Sequence, residues 1–284
     1  MCFYISVHSG LNNKLIPLLT LLRIARKEKR KIKCYWGNDA YLSKYIYHFN
    51  ELFESIKDIE FISKQEFYKE LHNKHNIIYN VGGNCSGGEN DITYKTNTKP
   101  TVFNKIVHFI SYENDNIFKY ISPYPREQIK TNIVIDDTRK YLKELIPKKD
   151  LLNKIDIDLF NNEILGIHLR TADGSFKDIP KNNIFNYITN FLKNNPLYKI
   201  YISCDDFELE QKIIKKFPEK IYYLKNPFGN EYQDKFNRST FGTNNAICEM
   251  FSLAKCSTFV GTPGSSFSFM VWLLRNDDVL KFWC

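Results

Sequence analysis

A histidine and an arginine stand two residues apart at the end of an apolar run, and their side chains are suited to binding an anion. Residues 164–167 are apolar and lead into His168 and Arg170, with Asp173 three residues further on. An arginine guanidinium presents five N–H donors in a planar fork and keeps its charge at any working pH, so it can bind a diphosphate bidentately. Asp173 is placed to orient that fork. An ordinary structural Arg–Asp pair would use the same residue types, and the sequence leaves both interpretations open.

A glycine- and serine-rich turn near the C-terminus is a second candidate for anion binding. It follows an apolar run at 258–261 and reads Thr262-Pro263-Gly264-Ser265-Ser266. If a helix begins at these serines, its positive end, its backbone N–H groups and the two hydroxyls together form a phosphate site. Ordinary N-capping of a helix by Ser265 or Ser266 is equally compatible with the spacing.

A third polar segment, Ser203-Cys204-Asp205-Asp206, also follows an apolar run. The carboxylate of Asp205 could accept hydrogen bonds from sugar hydroxyls or from the edge of a purine. Paired aspartates are also typical of a helix N-cap, and the sequence does not separate the two roles.

All of these segments belong to a regular alternation of strand-length and helix-length patterns. Polar residues at the carboxyl ends of parallel strands lie where open α/β sheets bind their ligands. Apolar runs and helical spacing predict strands at 164–169, 199–204, 221–224 and 258–261, and helices at 183–194, 207–217, 243–254 and 265–275.

The N-terminal part predicts a second unit of the same class. A strand at 2–7, a turn at 9–13, a helix and a strand at 31–36 form a βαβ unit, which requires a parallel sheet. The predicted fold class is therefore α/β, with two doubly wound, Rossmann-like domains at 1–155 and 156–284 and a cleft between them. The glycine-dense segment 82–88 is interpreted as a mobile surface loop, with a substrate lid as the alternative.

Composition excludes several classes of protein. The chain has 284 residues, of which 43% are hydrophobic, so intrinsic disorder is not expected. It has no secretory signal pattern and no apolar stretch of the roughly 18 to 20 residues that span a bilayer. Its seven cysteines show no CxxC pair, which argues against a disulfide framework or a structural metal and favours the cytoplasm. The net charge of +8 is concentrated in one cluster, interpreted as a solvated helix end in preference to an anion-binding surface: Arg23, Arg26, Lys27, Lys29, Arg30, Lys31 and Lys33.

In order and spacing, the segments across roughly 160–275 resemble the motifs of the GDP-fucose-dependent fucosyltransferases of the α1,6-, nodulation and protein O-fucosyltransferase group. The resemblance rests on His168-Leu169-Arg170-x-x-Asp173, on residues 200–206, and on residues 251–266. It implies a GT-B-like fold and transfer of fucose, with inversion, from GDP-fucose to a glycan hydroxyl. It also implies that GDP-fucose is a donor substrate and that neither a metal nor a separate cofactor is needed.

The resemblance further assigns roles to individual residues. Arg170 would hold the β-phosphate, His168 and Glu249 would face the guanosine, and Ser265 with Ser266 would bind the diphosphate. Glu249 stands where the α1,6 enzymes usually have Asp, and Pro263-Gly264 adds a residue before the serines.

Two further assignments complete this set. The loop containing Gly10, Asn12 and Asn13 is similar to a glycine/asparagine loop that opens many of these enzymes and would also contact the donor. Asp178, in the loop after the arginine, is the candidate base that takes the acceptor proton.

Three alternatives remain open at the level of sequence. The donor could be GDP-mannose or a UDP-sugar, or the chain could be a nucleotide-binding module without catalysis. A nucleic-acid-binding protein would explain the charge, but no RNP, KH or zinc-finger signature accompanies it, so no nucleic-acid partner is expected.

Overall fold

The protein consists of two compact units, Met1–Ile146 and Pro147–Cys284. The computed structural model describes residues 2–7, 10–37, 47–71, 77–81, 139–155, 163–171, 180, 182–224, 240–263, 265–275, 277 and 280–283. The units divide closer to the N-terminus than the boundary expected after residue 155. Residues 147–155 lie with the second unit, where the thiol of Cys248 donates to the carbonyl of Leu151.

The first unit is built on a four-stranded parallel sheet, as the βαβ pattern predicts. Its strand order is β3-β2-β1-β4, and β1 pairs in parallel with both β2 and β4. The predicted strands at 2–7 and 31–36 are confirmed as β1 and β2. The described elements of this unit are β1 Cys2–Val7, α1 Leu11–Lys27, β2 Lys31–Trp36, α2 Phe49–Leu52, β3 Ile59–Phe61, α3 Lys64–Leu71 and β4 Ile77–Val81.

The basic cluster at the end of α1 is only partly solvated. Arg26 forms ion pairs with Asp58 and Glu144, and Arg23 is buried. Carboxylates from elsewhere in the unit therefore neutralise part of this charge, whereas Lys27 and Lys31 remain exposed, as expected.

The second unit is a five-stranded parallel sheet of order β7-β6-β5-β8-β9. The strands and helices that the sequence predicts in this region are confirmed, with ends that differ by a few residues. The described elements are α4 Lys149–Leu152, β5 Ile164–Leu169, α5 Asn182–Asn194, β6 Lys199–Cys204, α6 Phe207–Lys216, β7 Ile221–Tyr223, α7 Thr240–Lys255, β8 Thr258–Gly261, α8 Ser266–Arg275 and β9 Lys281–Phe282.

Helices cover both faces of this sheet. Alternate residues of a strand point to opposite sides, so β5 contributes side chains to both faces. On one face Leu165, Ile167 and Leu169 of β5 belong to a buried cluster with residues of α5 and α6. On the other face Gly166 lies against α7, and His168 bonds a serine of α8. The second face therefore carries polar chemistry towards the carboxyl edge of the sheet.

The strand order fixes where a ligand can enter the second unit. The chain passes from β5 to β6 on one side and later returns to β8 on the other side of β5. Such a reversal leaves a crevice outside the carboxyl ends of the two strands, the usual ligand position in open α/β sheets. Within the described ranges, no helix is both long and apolar enough to cross a bilayer.

Candidate active site

A hydrogen-bonded junction joins the ends of β5 and β8. Arg170, the first residue after β5, donates its backbone N–H to Oγ1 of Thr262 at 3.0 Å, and that hydroxyl donates to the carbonyl of His168 at 2.9 Å. The indole Nε1 of Trp283 donates to the same carbonyl and hydroxyl oxygens, at 3.2 Å each. The main chain at Arg170 is thus fixed to the neighbouring strand. Its partly buried side chain therefore starts from a fixed Cα position at the carboxyl edge.

The ring of His168 is buried and neutral. Burial, reinforced by the nearby charge of Arg170, lowers the pKa of His168 to about 3. Its Nδ1 lies 2.7 Å from Oγ of Ser268, which in turn accepts the backbone N–H of Thr262 at 2.9 Å. With one lone pair of Oγ occupied by the Thr262 N–H, we expect the serine to donate its proton to Nδ1 and the ring to carry its own proton on Nε2. The ring of Phe267 stacks on the imidazole with centroids 4.5 Å apart and supports that orientation.

We expect Ser268→Ala to release this tautomer. In the native protein, nitrogen-15 NMR of histidine-labelled protein should show an unprotonated Nδ1 and a protonated Nε2 for His168 at neutral pH. The variant should show a mixture of the two tautomers, because the hydroxyl that donates to Nδ1 is gone. Ser266→Ala is the matched control and should leave the pattern unchanged, and a His168→Asn spectrum assigns the signals. A protonated Nδ1 in the native protein would contradict the network.

The two aspartates after β6 have different roles. Asp206 caps α6 by accepting the backbone N–H of Leu209 at 3.0 Å. The exposed Asp205 accepts the backbone N–H of Thr171 at 2.7 Å, and its own N–H donates to the carbonyl of Leu169 at 3.2 Å. Asp205 therefore ties the end of β6 to the main chain directly after Arg170.

The hydroxyl of Ser265 lies unused at the N-terminal end of α8. Ser265 immediately precedes the helix and is 3% exposed, yet its Oγ has no hydrogen-bond partner. Capping by this side chain, one of the two interpretations of the sequence, is not found. Ser266 begins the helix and is partly exposed. A buried hydroxyl beside a positive helix end is suited to an anion.

Glu249 of α7 supplies a carboxyl group on the same face of the sheet as His168. Ser203, the strand partner of His168, donates its hydroxyl to Oε2 of Glu249 at 2.8 Å. Burial raises the pKa of Glu249 to about 8, and the nearby acids Glu210 and Asp205 add to this rise, while the bond from Ser203 opposes it. At neutral pH much of this group is therefore protonated, although it accepts a bond.

The residues proposed in the first unit surround the start of α1. The carbonyl of Gly10 accepts the backbone N–H of Lys14 at 3.1 Å, so Gly10 begins the helical hydrogen bonding. Asn12 is buried with its Oδ1 unpartnered, and Asn13 is exposed. The ammonium of Lys14 donates to the carbonyl of Gly37 at 2.7 Å and lies over the ring of Trp36, which holds α1 to the end of β2.

Some predicted site residues lie outside the described part of the chain. These are Asp173 and Asp178, together with the glycine-dense segment 82–88. In the parts that the structure does describe, no group of three His, Cys, Asp or Glu side chains is arranged to hold a metal ion.

Sequence reasoning assigned no separate role to Ser268 or Trp283, although both shape the site. His168 and Ser268 are 100 positions apart, and His168 and Trp283 are 115 apart. Only the strand order brings them together. Ser265 and Ser268 are one helical turn apart, and this spacing indicates that both serines lie on one side of the start of α8. No spacing in the sequence indicated a role for Trp283.

Both units have the parallel sheet order of Rossmann-like domains, and similar solved structures confirm the predicted GT-B-like fold class. No family model and no curated protein sequence matches the chain. NodZ α1,6-fucosyltransferase soaked with GDP-fucose matches with a TM-score of 0.58 and 14% identity, covering 96% of this chain and 93% of that one. FUT1 from Arabidopsis thaliana with GDP has a TM-score of 0.54 and 12% identity, covering 97% of this chain and 69% of that one. POFUT1 with GDP has a TM-score of 0.52 and 14% identity, covering 99% and 96%. At these identities the similarity shows the fold.

Proposed function

We propose that this protein is a glycosyltransferase that transfers fucose, with inversion, from GDP-fucose to a hydroxyl of a glycan acceptor. The observation that carries the proposal is the position of Arg170. It leaves β5 at the point where the strand order reverses, and Thr262 ties its main chain to the end of β8. The unused hydroxyl of Ser265 at the start of α8 lies at the end of that same strand. Solved fucosyltransferases that share this fold were obtained with GDP or GDP-fucose.

Arg170 is the residue to which we assign stabilisation of the leaving group. As the bond between the sugar C1 and the β-phosphate oxygen breaks, negative charge grows on the phosphate. A preorganised guanidinium interacts more strongly with that charge than with the ground state, which is the condition for raising kcat. The acceptor oxygen forms the new bond to C1 and loses its proton, for which Asp178 is the proposed base. Ser265 and Ser266 would bind the diphosphate, and Asp173 would orient Arg170.

The guanosine is assigned to His168 and Glu249. With its proton on Nε2, the neutral His168 offers a donor to an acceptor atom of the nucleoside. The carboxylate of Glu249 complements the N–H donors on the Watson–Crick edge of guanine. Asp205 acts in this scheme by holding the main chain beside Arg170. Gly10, Asn12 and Asn13 are proposed as donor contacts from the first unit.

GDP affinity should rise with pH as Glu249 ionises. Because guanine N–H groups bind a carboxylate better than a carboxylic acid, the pKa of about 8 predicts an increase of about tenfold in affinity between pH 7 and pH 9. The phosphate groups, with a second pKa near 6, are already ionised there. Isothermal titration calorimetry at several pH values checks this. Glu249→Gln should bind GDP with little dependence on pH.

A second acid must be controlled in that experiment. Burial also raises the pKa of Glu210, to about 7, and Glu210 is close enough to Glu249 to influence it. Glu210→Gln should shift the pH profile slightly and keep its shape. If the profile flattened in Glu210→Gln and persisted in Glu249→Gln, the assignment of the base contact would be wrong.

The direct test of the proposed activity is GDP release from GDP-fucose in the presence of a panel of glycan acceptors, with GDP-mannose and a UDP-sugar as competing donors. We expect acceptor-dependent release of GDP from GDP-fucose, fastest among the donors, and a fucosylated product by mass spectrometry. Turnover that favours a different donor, or no turnover with any donor, would contradict the proposal.

We also propose that the protein acts in the cytoplasm without a nucleic-acid partner. The free thiols of the described cysteines, Cys2, Cys34, Cys204, Cys248 and Cys256, support the location.

A further inference from the structure

An asparagine in α7 is buried with its whole hydrogen-bonding capacity unused. Asn245 is 4% exposed, and neither its Oδ1 nor its Nδ2 has a hydrogen-bond partner. Buried side-chain amides nearly always form hydrogen bonds, because a buried donor or acceptor without a partner is unfavourable. An amide with both ends free therefore needs a partner that the folded chain does not supply.

The contacts of α7 place Asn245 at the carboxyl edge of the second sheet. Glu249 bonds Ser203 near the end of β6, whereas Leu253, further along α7, and Cys256, directly after the helix, lie against Gly166 in the middle of β5. The helix thus begins at the carboxyl edge and runs back towards the amino ends of the strands. Asn245 is four residues before Glu249, which puts it on the same helical face and about 5 to 6 Å closer to the edge.

A second unused group supports a ligand at this edge. Thr171, directly after Arg170, is 1% exposed, and its Oγ1 also lacks a partner. Ser265, at the end of β8, has an unpartnered Oγ as well. Unused buried polar groups thus come from the ends of β5 and β8 and from the first turns of α7, which are the elements that surround the crevice at the strand reversal.

We propose that Asn245 contacts the nucleobase of the donor and, with Glu249, selects guanine. This inference rests on the proposed function. Guanine presents the acceptor O6 next to the donor N1–H, whereas adenine presents an amino donor and an acceptor in those positions. The carboxylate of Glu249 accepts from N1–H and the 2-amino group, and Nδ2 of Asn245 donates to O6. The ionised carboxylate can only accept hydrogen bonds, so it pairs with the N–H groups of guanine. The amide of Asn245, which has no other partner, then turns its Nδ2 towards O6.

The test compares Asn245→Leu with the matched control Asn244→Ala. Asn244 is the preceding residue of α7, is also an asparagine and is partly exposed. Leucine has a similar shape and no polar atoms, so Asn245→Leu should keep or raise the Tm of the ligand-free protein. Asn245→Leu should weaken GDP binding by at least about tenfold, because O6 of guanine loses the hydrogen bond from Nδ2 of Asn245. UDP, which shares only the ribose diphosphate with GDP, should bind with an affinity changed less than about threefold. The control should match the native protein in all three measurements.

Each other outcome has a definite meaning. If Asn245→Leu lowers the Tm markedly, the amide is structural and the inference is wrong. If GDP binding is unchanged, or if GDP and UDP weaken equally, Asn245 does not contact the base, while the proposed function stands. If the native protein itself prefers UDP or ADP to GDP, the proposed donor and this inference fail together.

Discussion

Replacing Arg170 by alanine reduces the rate of fucose transfer by about 10² to 10³-fold, the usual effect of removing one preorganised donor to a developing anion. The loss should fall mainly on kcat, because the interaction strengthens as charge builds on the β-phosphate. Arg170→Lys should not restore the rate, since an ammonium cannot reproduce the planar, bidentate fork. Steady-state kinetics with GDP-fucose and an active acceptor measure both variants.

A charge-matched control separates this local role from the general electrostatics of a basic protein. Lys212 is exposed on α6 of the same unit. Lys212→Ala removes the same unit of charge and should leave kcat within about twofold of the native value, since exposed charges are screened by solvent and salt. Arg170→Ala must also keep the native Tm within a few degrees. Near-native turnover by Arg170→Ala, or full rescue by lysine, would remove Arg170 from the mechanism.

Gly261→Ala should disrupt the site from within the fold. Gly261 ends β8, and a Cβ at this position would lie 2.6 Å from Cβ and 2.7 Å from Oγ of Ser268. Those atoms lie close to the backbone of α8, so the helix itself must move. Overpacking of this kind costs about 1 to 3 kcal/mol in stability. The shift also separates Ser268 from His168 and from the N–H of Thr262. We expect a lower Tm and a loss of GDP affinity of about a hundredfold or more, the cost of two to three kcal/mol in binding.

Gly166→Ala is the control for this substitution. Its Cβ would lie 3.0 Å from Sγ of Cys256 and from Cδ2 of Leu253. Cβ of Cys256, which is fixed to the backbone, would lie 3.1 Å away, but all three contacts are longer than those of Gly261 with Ser268 and lie further from the carboxyl edge. The control should therefore lower the Tm moderately and leave GDP affinity near native. Equal losses of GDP affinity in both variants would show that close packing of α8 on β8 has no special role in the site.

The sequence was sufficient to predict most elements of the second unit and the strand ends at which polar residues lie. Strands such as β5 and β6 are short apolar runs, and α5 shows the helical period, so each is encoded locally. In a parallel α/β sheet the carboxyl ends of strands meet at one edge. The positions of Arg170 and Ser265 at that edge therefore followed from local pattern alone.

The network around those residues could not be predicted in the same way. The bonds from Ser268 to His168 and from Thr262 to Arg170 depend on β8 lying beside β5, a property of strand order and not of local spacing. Asn245 carries no signal in the sequence, because a helical asparagine becomes informative only when its burial and lack of partners are known. The short elements α2, α4 and β9 have too few residues to establish a period.

The most direct test is a crystal structure of the protein with GDP bound. We expect the β-phosphate oxygens to lie within about 3 Å of the Arg170 guanidinium nitrogens, the distance of a charge-assisted hydrogen bond, and next to the first turn of α8. A diphosphate bound away from the carboxyl ends of β5 and β8, or a guanidinium directed away from it, would show that Arg170 does not stabilise the leaving group.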